Sequence, residues 1–356
     1  MSLPFLIFTC WVTLTTFFAI DKQNSIHDLY SHLIKYIIFF YVMVNFFASK
    51  RRLDTVSWTI IISTSVFSLG SLIYEYAVLG NSINLRFGLS LVQTPTNLIG
   101  VVTLFGIILC LHGLLTKTGF TNKVVLALCL VPLSAVTMLT RTRSNIIALG
   151  ATLILIFPFN KKAAFAVVGC TLLLTSISHA PSRWQLNHLL NNERLGMCRI
   201  AYQVIKDYPV TGIGFGMHTY GNKLDLADYK ARVSNWQKSL YIMKYPHNMF
   251  VSVAVRTGIP GFLLFLAIIG VSVKMCFEVI GKAQVHAVRG WGYCSLSLLV
   301  MFLTKGLFEP VLTHLTEVVF FTILSMIAVL WRIHKKHNAG FVLATSMKGG
   351  DLSPSH

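Results

Sequence analysis

Residues 94–115 read TPTNLIGVVTLFGIILCLHGLL, a run without a single Asp, Glu, Lys or Arg. A helix needs about 20 predominantly apolar residues to cross the hydrocarbon core of a bilayer, and this run is long enough. Working outward from it, the same reading predicts spans at 3–20, 33–48, 55–79, 123–139, 144–157, 162–177, 258–279, 290–306 and 315–331, ten in all with 94–115. A transmembrane barrel would instead show alternating segments of about ten residues, and none occur. Composition agrees: of 356 residues 54% are hydrophobic and only 12% charged, where a soluble domain carries about 25% charged residues. A soluble enzyme, a disordered chain and a collagen-like fibre are excluded. The expected fold is an all-α polytopic membrane protein with about ten transmembrane helices.

Basic residues in short loops set the orientation. Lys50, Arg51, Arg52, Lys117, Lys123, Lys161, Lys162, Lys282, Arg289, Arg332, Lys335, Lys336 and Lys348 fall on one side. The short loops of the other side hold Lys22, Arg86, Arg141 and Arg143. Both termini are therefore expected in the cytoplasm. The first apolar run lacks a basic leader and a small-residue cleavage site, so it reads as a retained span. Four segments follow: 1–177 with about seven spans, a long outer loop at 178–257, 258–331 with about three spans, and a cytoplasmic tail at 332–356.

The long loop escapes the positive-inside rule, yet it carries ten basic residues against four acidic ones. Anionic lipid headgroups or a phosphorylated substrate suit such a surface. Nucleic acid does not, because the charge sits on a membrane protein's outer face. Asn192 is placed to cap a helix from Glu193 that ends at Asp207-Tyr208-Pro209. Leu195, Cys198, Ala201, Tyr202 and Ile205 are expected on its apolar face, lying flat on the bundle. A second amphipathic helix is expected at about 222–243, anchored by Trp236 and shaped like a lid.

Between these helices, Gly212-Ile213-Gly214-Phe215-Gly216 has no strand before it and no βαβ unit after it, so it is not a dinucleotide fingerprint. Gly212, Gly214 and Gly216 are expected to form a tight turn packed on the bundle. The absence of H-e-x-x-H, paired C-x-x-C and carboxylate clusters argues against a protein-built metal site, and no cofactor is implied. What remains is a set of Arg and His residues at the outer boundary. Arg141 and Arg143 flank Thr142 at the start of the sixth span, and Arg194 heads the interfacial helix. A guanidinium fork suits bidentate contact with phosphate oxygens. Arg199 points elsewhere and reads as a lipid contact. His247, between Pro246 and Asn248, opens an apolar helix, and its imidazole could accept a proton from a sugar hydroxyl.

The order of three blocks resembles the O-antigen ligase and polymerase superfamily of bacterial inner membranes. They are Thr140-Arg141-Thr142-Arg143-Ser144; Arg194-Leu195-Gly196 running on to Asp207-Tyr208-Pro209 and the glycine turn; and His247-Asn248 followed by Arg256-Thr257-Gly258-Ile259-Pro260-Gly261. Arg86 with Gly88 and Thr94-Pro95-Thr96-Asn97 is similar to an earlier family block. The resemblance implies a GT-C-like fold and a metal-independent, inverting glycosyltransferase. Its donor would be an undecaprenyl-pyrophosphate-linked glycan and its acceptor the lipid A–core oligosaccharide, met outside the cytoplasm. It further implies that Arg143 and Arg194, with Arg141 and Arg86, hold the pyrophosphate, and that His247 is the base. Family ligases usually have about twelve spans against the ten counted here, and the family's tryptophan four residues after the second Arg is Cys198. A polymerase using a lipid-linked acceptor is the nearest rival. A protein-glycosylating transferase is a further one. A lipid-linked glycan flippase or transporter is the non-enzyme alternative, although the spans show no internal repeat.

Overall fold

The computed structural model describes residues 1–47, 49–83, 87–88, 96–116, 119–156, 193–233 and 244–349, and among these it contains no strand. Helix α1 spans Ser2–Phe17. α2 runs over Lys22–Phe46, passing through a π-helical stretch at Leu29–Ile34. α3 is Lys50–Val78; α4, α5 and α6 are Thr96–Thr116, Phe120–Leu139 and Arg143–Ile156. α7 is Glu193–Asp207, α8 Thr219–Lys223 and α9 Leu226–Ala231. α10, α11 and α12 are Met249–Lys282, His286–Gly306 and His314–Gly349.

Seven of these helices are long and apolar enough to cross a membrane, and α1 and α6 are shorter apolar helices. They occupy nine of the ten positions expected from the sequence, and the tenth, 162–177, lies outside the described residues. The chain is an all-α polytopic membrane protein. α11 sits at the middle of the bundle, against α4, α6, α10 and α12. Its Leu298, Leu299, Met301 and Phe302 are buried together with Leu104 and Ile108 of α4 and Ile323 and Leu324 of α12. α1 shows the opposite pattern on one side: Phe5, Phe8 and Val12 are buried, whereas Leu3, Leu6, Ile7 and Leu14 are exposed. A continuous apolar face of this kind belongs against lipid tails, since water would penalise it.

Two elements depart from the sequence reading. α10 begins at Met249, ahead of the expected span, but its backbone breaks at Gly258 (φ 69°, ψ −179°). The break divides it into a half-helix, 249–257, and a spanning helix that starts where the apolar run does. The second departure is the single helix expected at 222–243. α8 ends before Leu224, and the Asp225 carboxylate accepts from Ala227 N and Asp228 N to cap a new helix, α9. Short polar side chains compete for backbone donors in this way. Residues 234–243, with Trp236 and Leu240, lie outside the described residues.

The glycine turn is fastened to the bundle from three sides. Ile213 N donates to Val255 O at 2.9 Å, and Ile20 N donates to Ile213 O at 3.1 Å. Met217 N donates to the Asp28 carboxylate at 2.6 Å, and Gly216 N to Ser25 Oγ at 3.2 Å. The buried Arg256 guanidinium donates through Nε to Phe215 O at 2.7 Å. Gly212 (φ 66°) lies on the Gly258 break, where a Cβ at 212 would come within 2.6 Å of Gly258 N. Cβ atoms at 214 and 216 would fall 2.3 Å from Ala19 Cβ and 2.2 Å from Asn24 Oδ1. No side chain fits in that turn.

Candidate active site

The site is assembled around the turn that leaves α11. Glu309, four residues after Lys305, donates its backbone N–H to Lys305 O at 3.0 Å, which keeps the chain coiled for one turn beyond the helix. Its side chain is 1% exposed. One carboxylate oxygen, Oε1, accepts from Arg194 Nη2 at 2.8 Å. The other, Oε2, lies 3.7 Å from His247 Nδ1, at charge-pairing but not hydrogen-bonding distance. Arg194 and His247, 53 positions apart in the chain, thus face the same carboxylate. Both remain accessible, at 34% and 25% side-chain exposure. Burying a lone carboxylate is costly, so a cation beside Glu309 is needed to hold it ionised.

His247 is delivered by the half-helix of α10. Asn248 caps it, accepting from Val251 N at 3.0 Å through Oδ1. The Asn248 Nδ2 group donates to Leu307 O at 3.0 Å, which ties the cap to the Glu309 turn. His247 itself has φ 49°, and Arg141 has φ 48°. Among the described residues these are the two non-glycine positions in the left-handed region. Each costs on the order of 1–3 kcal/mol, a conformation that persists only where surrounding structure imposes it.

Arg143 is half-buried at the start of α6. The next two residues, Ser144 and Asn145, are buried and bonded to Lys305, one turn before Glu309. Arg141 turns the other way, its Nη2 donating to Ile83 O at 3.3 Å. Arg86 lies outside the described residues. The structure therefore brings Arg194 and His247 together directly and fastens the Arg143 segment to the same turn, while Arg141 flanks it.

α7 ends at Asp207 as expected, and Asn192, expected to cap its start, lies outside the described residues; its face is rotated. Met197, Ile200, Ala201 and Val204 are buried, whereas Leu195 and Tyr202 are 46% and 55% exposed. Ile200, Ala201 and Val204 pack with Ile213, Tyr220, Tyr229 and Val255 into a small outer core. The sequence gives the stripe but not which edge of it the bundle covers. Rotation in this direction turns Arg194 inward toward Glu309 and leaves Arg199 exposed. Burial pushes the Cys198 thiol up from its ordinary value. At the far end of α7, the Arg232 guanidinium, with Tyr229, holds Asp207 below the usual carboxylate range. Tyr229 is in turn raised to about 12, mainly by burial and then by Asp207.

Glu309 is the functional residue that the sequence reading passed over. A signal exists: it is an acidic residue in a short apolar outer turn, Phe308-Glu309-Pro310, in a chain with 12 Asp and Glu in all. Residues 128–266 match the family described as O-antigen ligase. This stretch, somewhat under half of the chain, is similar to that family. It holds Arg141, Arg143, Arg194 and His247 and stops short of Lys305 and Glu309. No curated protein matches the chain.

Proposed function

We propose that the protein transfers a glycan from undecaprenyl pyrophosphate to a sugar hydroxyl of lipid A–core oligosaccharide, at the periplasmic face of the bacterial inner membrane, with both termini cytoplasmic. The observation that carries this reading is the shared carboxylate. Glu309 sets a phosphate-binding arginine and a proton-accepting histidine side by side, and both of these lie in the stretch that is similar to O-antigen ligase.

In the proposed reaction the acceptor hydroxyl oxygen attacks the anomeric carbon from the face opposite the pyrophosphate. A new C–O bond forms as the bond to the pyrophosphate oxygen breaks, with inversion. The hydroxyl proton passes to His247. Its Nδ1 faces Glu309, so Nε2 is the nitrogen left to take the proton, and Glu309 stabilises the resulting imidazolium. Undecaprenyl pyrophosphate departs with the bonding electron pair. Arg143 and Arg194 offset its growing charge, as oriented cations do best when their geometry is fixed in advance. Arg194 is oriented by Glu309 through Nη2, and its planar guanidinium suits contact with phosphate oxygens. Arg141 adds positive potential at the rim, and Arg86 is assigned to the donor on the resemblance alone. No residue of the scheme requires a metal.

The test is reconstitution of the full chain in proteoliposomes with purified undecaprenyl-pyrophosphate-linked glycan and lipopolysaccharide that ends at the core. The expected product is core lipopolysaccharide shifted by one or more glycan lengths, formed equally well in excess EDTA. Glycan growth on the lipid carrier, with the core untouched, would make the protein a polymerase. Activity lost to EDTA and restored by magnesium would overturn the arginine-based account of the leaving group.

A further inference from the structure

Lys305 ends α11 with its whole side chain buried, at 0% exposure. An ammonium group taken out of water costs several kcal/mol unless it is well bonded, and an ionisable residue inside a membrane bundle is a functional candidate by default. Lys305 Nζ donates to Ser144 Oγ at 2.8 Å and to Asn145 Oδ1 at 2.7 Å. These are the two residues that follow Arg143 in the first turn of α6. Asn145 Nδ2 donates onward to Thr140 Oγ1 at 3.0 Å. The amide thus spans Thr140-Arg141-Thr142-Arg143 and closes the loop against Lys305. α4 is shaped to admit it: a Cβ at Gly100 would fall 2.1 Å from Asn145 Oδ1. At its backbone end, Lys305 O accepts from Glu309 N.

We propose that Lys305 is a positioning residue for Arg143. Its ammonium pins the first turn of α6 to the turn that carries Glu309, and so holds the Arg143 guanidinium in register with Arg194 and His247. Methionine would fill the same space without desolvating a charge, so packing alone does not account for a lysine here. The ammonium position also disfavours simple stability as its role, because a cation beside a helix N-terminus opposes the helix dipole. The inference rests on the glycosyl transfer proposed above and concerns which residue sets its geometry.

The test compares full-length Lys305→Met, Asn145→Ala and Gly100→Ala in the ligation assay, each alone and combined with Arg143→Ala. Lys305→Met is expected to lower kcat about 10–100-fold, the cost of roughly an ångström of misplacement. The KM for core lipopolysaccharide should stay within about twofold, as for a loss felt in the transition state. In the Arg143→Ala background the same change should cost little more, because the group it positions is gone. Gly100→Ala, which removes no polar group, should reproduce part of the loss by displacing Asn145. If Lys305→Met does not fold, Asn145→Ala with Arg143→Ala completes the same cycle. Losses that multiply in the Arg143→Ala background, or Lys305→Met with unchanged kcat, would overturn the proposal. Wild-type protein inactive on both substrates would instead overturn the reaction itself, and that is seen before any variant is compared.

Discussion

In the proposed reaction Glu309 faces two cations, Arg194 and the imidazolium that His247 becomes. Glu309→Gln keeps the shape and can still accept from Arg194, but it removes the charge that steadies the protonated ring. The loss is that of a charge pair with the imidazolium, and turnover is expected to fall about 10–100-fold, equivalent to about 1.4–2.8 kcal/mol. His247→Ala, which deletes the proton acceptor, should cost about 10²–10⁴-fold while donor binding persists. Arg199→Ala should be mild. Ligation rates of the purified variants, with donor binding measured separately, check all three. Near-normal turnover of His247→Ala would end its candidacy as base. Arg194 and His247 were readable as separate candidates because one heads an amphipathic helix and the other opens an apolar one. Their joint carboxylate was not, since it comes from the far end of the chain and only the packing of α11 brings it near.

At the level of single elements, α9 is tied to the end of α7 by Arg232. Its Nη1 donates to Asp207 at 2.7 Å and its Nη2 to Asp228 at 2.6 Å. Asp207 is depressed in the folded chain. The stability it adds is therefore present above its unfolded value, about 3.9, and is lost as pH falls through the folded one. Amide protection factors over 226–233, referred to the intrinsic exchange rate at each pH, should fall below about pH 4 relative to neutral pH, and also at high salt at neutral pH, because exposed pairs are screened. Protection unchanged by either would show that apolar packing alone holds α9. The C-terminal end of α7 was legible in sequence because a proline follows it, and the spans because apolar runs have few alternatives in lipid. The rotation of α7, the cap at Asp225 and the break at Gly258 were not. The first and last are decided by contact with residues remote in sequence, Glu309 for α7 and Gly212 for the break, whereas the cap is a local competition for backbone donors.

For the whole molecule, the proposed orientation puts α7–α9 outside and the end of α12 inside. A cysteine in place of exposed Ala227 should react with an impermeant thiol reagent on intact spheroplasts, and one in place of exposed Lys336 only after permeabilisation. Native Cys198 is half-buried and its thiol is pushed up, so its background labelling should be slow. The reverse pattern would put the Arg–His site in the cytoplasm. The dependence of that site on the turn after α11 has a consequence for chimaeras. Exchanging only the matched domain, 128–266, between two relatives transplants the arginines and the histidine but leaves Lys305 and Glu309 behind with the host. Such a hybrid joins a donor's reactive groups to a scaffold built for others, and the unit to be exchanged has to include the end of α11 and its outer turn.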